Sequence, residues 1–255
     1  MAKKPTWVID KERARKAETV WLFGLHAVRD ALLNPARVKL RLVVTKNAAD
    51  RLGDALETCG IAPEIADPRK FPAPLDPGSV HQGAALEAKP LDWGPLVDIA
   101  VQGGVILCLD RVTDPHNVGA ILRSAEVFGA SAVVAPLRHA APETGALAKS
   151  ASGALERQPY LRVKNLATSL EELRKMGYRL IGLDGTANET LEEALPQDGP
   201  VALVLGAEGP GLRDKTKETC DKLARIAFSG EFGSLNVSNA AAVALYATHA
   251  TMKKA

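Results

Sequence analysis

Three segments carry polar residues whose types and spacing could do chemistry. The first is Leu109-Asp110-Arg111-Val112-Thr113-Asp114-Pro115-His116-Asn117-Val118-Gly119-Ala120-Ile121-Leu122-Arg123. An apolar stretch ends, a proline turn follows, and helical spacing resumes through Val118, Ile121, Leu122, Ala125 and Phe128. Arg123 lies beside that apolar stripe. A guanidinium fork there suits phosphate oxygens, although an exposed arginine also pairs readily with a carboxylate such as Glu126 one turn on. Asn117 suits a helix cap or a polar site. The second segment, Val204-Leu205-Gly206-Ala207-Glu208-Gly209-Pro210-Gly211-Leu212-Arg213, runs from an apolar strand into a glycine loop that holds one carboxylate. Glycine lets a backbone approach a ligand closely. The third, Ile226-Ala227-Phe228-Ser229-Gly230-Glu231-Phe232-Gly233-Ser234-Leu235-Asn236-Val237-Ser238-Asn239-Ala240, is a loop with two Ser/Asn pairs entering a helix, for which Ser238 or Asn239 is a suitable cap.

Other chemistries lack their residues. The sequence has no GxxxxGK[ST] phosphate loop and no GxGxxG after a strand. It has no GxSxG elbow. Its five histidines show no paired metal-ligand spacing, so no metal site is expected. The three cysteines, Cys59, Cys108 and Cys220, are far apart, which argues against a disulfide framework and for a reducing cytoplasm. No apolar run approaches the length of a membrane span. Of the 255 residues, 46% are hydrophobic and 24% charged, which is ordinary for a globular chain. A net charge of +2 permits nucleic-acid binding only through a local patch.

The elements that position these segments follow from periodicity. Val105 to Asp110, Ser131 to Ala135, Tyr160 to Val163, Arg179 to Leu183, Val201 to Leu205 and Leu223 to Ile226 read as strands. Helical spacing falls between them, including Glu143 to Ser150 and Leu166 to Met176. Alternation of this kind predicts an α/β domain with a mostly parallel sheet. A helix from Ala240 to Ala247 is apolar nearly all round and must be covered on every side, either by a subunit interface or by burial within its own monomer. Upstream, Gly24 to Leu33 has helical spacing, Val38 to Thr45 reads as a strand, and Asn47 to Thr58 as one capped helix. The expected organisation is a basic flexible tail over 1–18, a small α/β domain over 19–88, a linker over 89–103 and the larger domain over 104–255.

Asn117, Gly119 and Arg123, then Leu205-Gly206-Ala207-Glu208-Gly209, then Ser234-Leu235-Asn236-Val237-Ser238 occur in that order. Together, over about residues 104–252, they resemble the SpoU (TrmH-type) RNA 2′-O-ribose methyltransferases of the SPOUT class. His81-Gln82-Gly83 resembles the end of the ribosomal-protein-like RNA-binding domain that precedes some members. Two departures stand out. The third motif of the family usually opens Ile-Pro-Met where this chain has Ile226-Ala227-Phe228, and Asn239 stands where Val is usual.

The resemblance implies a SPOUT fold with a deep trefoil knot, S-adenosylmethionine as cofactor, no metal, and a homodimer whose interface completes each site. It implies cofactor contacts at Leu205, Gly206, Ile226 and Leu235. Arg123 would clamp a phosphate and stabilise a developing alkoxide, with general-base action ranked second. Asn117 would orient Arg123 or the ribose, Glu208 would fix the loop or steer an Arg123 contributed by the other subunit, and Ser234 and Asn236 would hold the substrate ribose or shape the loop. The expected substrate is a guanosine of large-subunit (23S) rRNA. The alternatives are a tRNA 2′-O-methyltransferase and a catalytically silent RNA-binding or ribosome-assembly protein.

Overall fold

A computed structural model describes residues 19–229 and 235–252. The tail over 1–18 and Ser234 lie outside the described residues. The chain divides into two compact units, one of Met1–Asp92 with Glu143–Gly145 and one of Trp93–Pro142 with Ala146–Ala255.

The first unit contains β1 (Val20–Phe23), α1 (Leu25–Leu33), β2 (Lys39–Val44), α2 (Lys46–Leu52), α3 (Asp54–Thr58), β3 (Pro63–Ile65) and β4 (Ala84–Ala88). Its sheet has the order β1-β4-β2-β3, with β4 antiparallel to both neighbours and β3 parallel to β2. The single helix expected over Asn47 to Thr58 is two helices, because Gly53 takes φ 46° and breaks the hydrogen-bond run. The cap of α2 is Thr45, whose side chain accepts from the Ala48 N–H at 3.2 Å. The His81-Gln82-Gly83 segment serves the fold directly. The Gln82 carboxamide accepts from the Leu25 N–H at 3.1 Å and so closes the start of α1.

The second unit contains α4 (Leu96–Ala100), β5 (Val105–Asp110), α5 (Pro115–Val127), β6 (Ala132–Pro136), α6 (Gly145–Ala151) and β7 (Tyr160–Val163). It continues through α7 (Leu166–Lys175), β8 (Arg179–Leu183), β9 (Glu189–Thr190), α8 (Leu191–Ala194) and β10 (Val201–Gly206), then α9 (Asp214–Thr219), β11 (Lys222–Arg225) and α10 (Val237–Met252). Gly145, the first residue of α6, is grouped with the first unit. All seven strands are parallel, in the order β7-β6-β5-β10-β8-β11-β9. The strands β5, β6 and β10 are buried along almost their whole length, as a sheet covered on both faces requires. Ile106, Cys108, Val134, Leu170, Leu173, Leu180, Ala202 and Val204 belong to one core cluster.

Topology fixes where a ligand can sit. The chain leaves β5 towards β6 on one side and leaves β10 towards β11 on the other. The carboxyl ends of two such adjacent strands form the crevice at which open α/β sheets bind ligands. Each of the three chemistry-bearing segments follows one strand: β5, β10 or β11.

Candidate active site

At the crevice, Asp110 ends β5 directly opposite Gly206, which ends β10. Asp110 is fully buried. Arg213 closes on it from the far end of the glycine loop: its backbone N–H donates at 3.1 Å and its Nε at 2.7 Å. A buried carboxylate needs such partners, because an unpaired charge there is costly. The clamp thus ties both ends of the loop from Gly206 to Arg213 onto the end of β5. Gly206 has no room for a side chain, since a Cβ would stand 2.1 Å from the Gly211 carbonyl carbon. The sequence suggests that this glycine approaches a ligand; in the structure the close crossing of its own loop also requires a glycine there. Gly119 is similarly a packing glycine of α5, where a Cβ would lie 2.6 Å from the Leu147 carbonyl oxygen.

Polar residues from all three segments then meet. Asn117 on α5 donates through Nδ2 to Glu208 Oε1 at 3.1 Å. Asn236 donates through Nδ2 to Asn117 Oδ1 at 3.0 Å and also to Glu208 Oε1. The Val237 N–H adds a 3.3 Å bond to the same carboxylate oxygen. Two cap expectations are corrected here. Asp114, not Asn117, caps α5 by accepting from the His116 N–H at 2.9 Å, which frees Asn117 for the site. The α10 cap is Asn236, whose Oδ1 accepts from the Ser238 N–H at 2.9 Å, rather than Ser238 or Asn239.

A cavity of 680 Å³ opens beside this cluster. Leu205, Gly206, Glu208, Ile226, Leu235 and Asn236 line it, together with Asp184 and Gly185 from the end of β8. Its size lies within the range of about 300–1,000 Å³ usual for small-molecule and cofactor sites. Asp184 has no signature in the sequence. Its Oδ1 accepts from Thr186 N and Oγ1, and its Oδ2 pairs with Lys217 Nζ at 2.6 Å. The Lys217 hydrogen bond holds this carboxyl down at about 2, against the opposing effect of burial. Asp110, Arg213, Asp184 and Lys217 all escape a reading of the sequence alone. The signal available is an aspartate at the end of an apolar strand, which demands a buried partner without saying where that partner lies in the chain.

Arg123 does not join the cluster. It stands exposed on α5. Its expected partner Glu126 is instead bound by Arg157, and among the described residues the Arg123 side chain has no hydrogen bond or ion pair. No group of three or more metal-ligating side chains occurs among the described residues. No described helix is long and apolar enough to cross a membrane.

The parallel sheet, the glycine-loop cavity at its carboxyl edge and the Asn-Glu-Asn cluster at its mouth fit the SpoU class of methylases that the three motifs resemble. The chain belongs to the SpoU rRNA Methylase family, matched over residues 104–246. Residues 21–93 match the family described as RNA 2′-O ribose methyltransferase substrate binding. The chain is 40% identical over 238 residues to 23S rRNA (guanosine-2′-O-)-methyltransferase RlmB of Ralstonia nicotianae, an alignment covering 88% of this chain and 93% of the relative. Against the protein of the same name from Photorhabdus laumondii it is 38% identical over 234 residues, 88% and 95% of the two chains. Among solved structures, the SpoU methyltransferase AviRb from Streptomyces viridochromogenes, in complex with AdoMet, superimposes with a TM-score of 0.79 at 22% identity over 94% of this chain and 92% of that one.

Proposed function

We propose that the protein transfers a methyl group from S-adenosylmethionine to the 2′-oxygen of a guanosine in 23S rRNA. One observation carries this reading: Asn117, Glu208 and Asn236, drawn from three distant motifs, meet at the mouth of a cofactor-sized cavity. The named activity of the curated relatives at 38% and 40% identity supports the substrate. A cytoplasmic location follows from that substrate.

The cavity suits the cofactor. Leu205, Ile226 and Leu235 supply apolar walls for an adenine or a methionine chain, and the charged lining residues among those described, Asp184 and Glu208, are both acidic. Asp184 is neutralised by Lys217, so the net negative charge of the lining comes from Glu208, which favours a cationic ligand over an anionic one. When bound, S-adenosylmethionine supplies an electrophilic methyl group on a sulfonium. Leu205, Gly206, Ile226 and Leu235 hold it in place, and the Asp110–Arg213 clamp keeps their loop closed. Asn117 and Asn236 fix the Glu208 carboxylate, which in turn sets the loop and the start of α10. Arg123 would grip a phosphate beside the target ribose and stabilise the 2′-oxygen while the hydroxyl proton passes to solvent water. An arginine remains protonated in proteins, so the clamp role ranks above general-base action. Ser234, with Asn236, holds the ribose.

The domain division belongs to the same reading: 19–88 binds RNA, 89–103 links, and 104–255 binds cofactor and catalyses, its motif loops threaded as a deep trefoil knot. The active form is a homodimer. Val243 and Tyr246 on α10 and Val127 on α5 are exposed, and Phe128 meets Tyr246 edge-on at 6.1 Å, so one apolar face of these packed helices is left for a second copy.

The direct test is transfer of labelled methyl from S-adenosylmethionine to unmodified total RNA, followed by fractionation, digestion and identification of the nucleoside. Labelled 2′-O-methylguanosine in the rRNA fraction is the expected result. Label confined to tRNA would replace the substrate, and cofactor binding without transfer to any RNA would point to a silent binder.

A further inference from the structure

The catalytic unit has a second surface feature that the cofactor cavity does not use. The carboxyl ends of β8, β10 and β11 form the cavity, while those of β5, β6 and β7 lie at the same edge of the sheet on the other side of the crevice. Within two residues of the ends of these three strands stand Arg111, Arg138 and Lys164. All three are exposed, and among the described residues none has a side-chain hydrogen bond or ion pair. The aspartates nearest in sequence are already engaged: Asp110 by Arg213 and Asp114 by the His116 N–H.

Backbone strain supplies an independent observation. Arg111 takes φ 64°, a left-handed conformation that costs a long side chain and costs glycine nothing. His139, next to Arg138, takes φ 60°. Histidine adopts this conformation more readily, so the strained member of the group is Arg111, at the end of β5. Strain of this kind persists chiefly where the side chain is needed. On the flanking edge strand β7, Arg162 donates through Nη2 to the Leu137 carbonyl at 2.7 Å and so props the loop after β6, yet its Nε is buried without a hydrogen-bond partner.

We propose that Arg111, Arg138 and Lys164 form a phosphate-binding row that guides the substrate RNA strand across the carboxyl edge of the sheet towards the cofactor cavity. The inference rests on the RNA methyltransferase reading and adds to it a substrate path within the catalytic unit. Neighbouring parallel strands lie about 4.8 Å apart, so the three strand ends span about 10 Å. Arginine and lysine bound to a phosphate backbone position the strand without reading its sequence, as is required of residues that feed a nucleotide into a site specified elsewhere.

The test is the salt dependence of binding to unmodified in-vitro-transcribed 23S rRNA, measured by filter binding for the full-length chain and a triple variant, Arg111→Gly, Arg138→Ser and Lys164→Ser. Glycine at 111 suits the observed φ, so the fold is kept; the melting temperature should be unchanged or raised. Each lost phosphate contact removes about 0.7–0.9 from the slope of log K against log salt, so the triple variant should lose about 2–3 units of slope. RNA affinity near physiological salt should fall at least about tenfold. Affinity for S-adenosylmethionine should be unchanged, and Lys175→Ser, an exposed site on α7 away from this edge, should leave the slope alone. An unchanged slope in the triple variant, with wild-type transfer intact, overturns the row and spares the enzyme reading. A wild type that neither binds nor methylates any RNA overturns both.

Discussion

Two charged side chains proposed for the site stand in opposite surroundings. Glu208 is held by amide donors from Asn117, Asn236 and Val237, whereas Arg123 is exposed on α5. A residue outside the cofactor cavity can be lost without loss of cofactor binding. Arg123→Ala should therefore abolish methyl transfer while calorimetric titration with S-adenosylmethionine gives a wild-type dissociation constant. Equal loss of binding and turnover in a folded variant would remove the clamp role. Asp184 makes a pH prediction. Its folded value of about 2 lies below the ordinary aspartate value of 3.8, chiefly because Lys217 donates to it. The depressed value means that the pair stabilises the fold above pH 4, and that this contribution is lost as pH falls towards 2. Lys217→Met should lower the melting temperature by about 2–4 °C at pH 7, for about 1 kcal/mol of lost pairing, with the difference closing as pH approaches 2. A constant difference across that window would deny the pairing.

Among the elements, the glycine loop is the part most sensitive to a single atom. Any side chain at Gly206 meets the Gly211–Leu212 backbone, and backbone cannot move aside as a side-chain tip can. Gly206→Ala should force the loop open, cost about 1–3 kcal/mol as an overpacked core does, and weaken cofactor binding far more than RNA binding. Binding isotherms for both ligands check this, and equal weakening would mean that the loop is not a cofactor element. At this scale the sequence is legible where periodicity and β-propensity agree. Tyr160–Val163 and Arg179–Leu183 match their expected bounds, and the parallel sheet follows from the alternation. It is not legible at β4. Ala84-Ala85-Leu86-Glu87-Ala88 has little intrinsic strand preference, and the segment is a strand because β1 and β2 pair with it on both sides. The site shows the same divide. Residue types mark Asn117, Glu208 and Asn236, but only the fold joins positions 91 and 119 residues apart. The Asp110–Arg213 clamp, 103 residues apart, has no local signature at all.

For the whole molecule, the question is what covers α10. Its sequence predicts burial all round, and the structure buries Val237, Ala241, Ala244, Leu245 and Thr248 while leaving Tyr246 62% and Val243 41% exposed. The covered side packs on α5, and the open side continues onto α5 at Val127, which is 69% exposed. An isologous dimer places the same patch against itself, so a single substitution acts twice in the interface. Tyr246→Glu should put two carboxylates into one apolar contact and drive the protein to a monomer in light scattering at micromolar concentration. Because Glu208 of the glycine loop binds Asn236, the cap of α10, and Val237, its first residue, within one subunit, the monomer should retain measurable cofactor affinity yet lose methyl transfer if each site needs its neighbour. A wild-type monomer with full activity would remove the dimer from the mechanism. A Tyr246→Glu monomer with full activity would confine the interface to assembly.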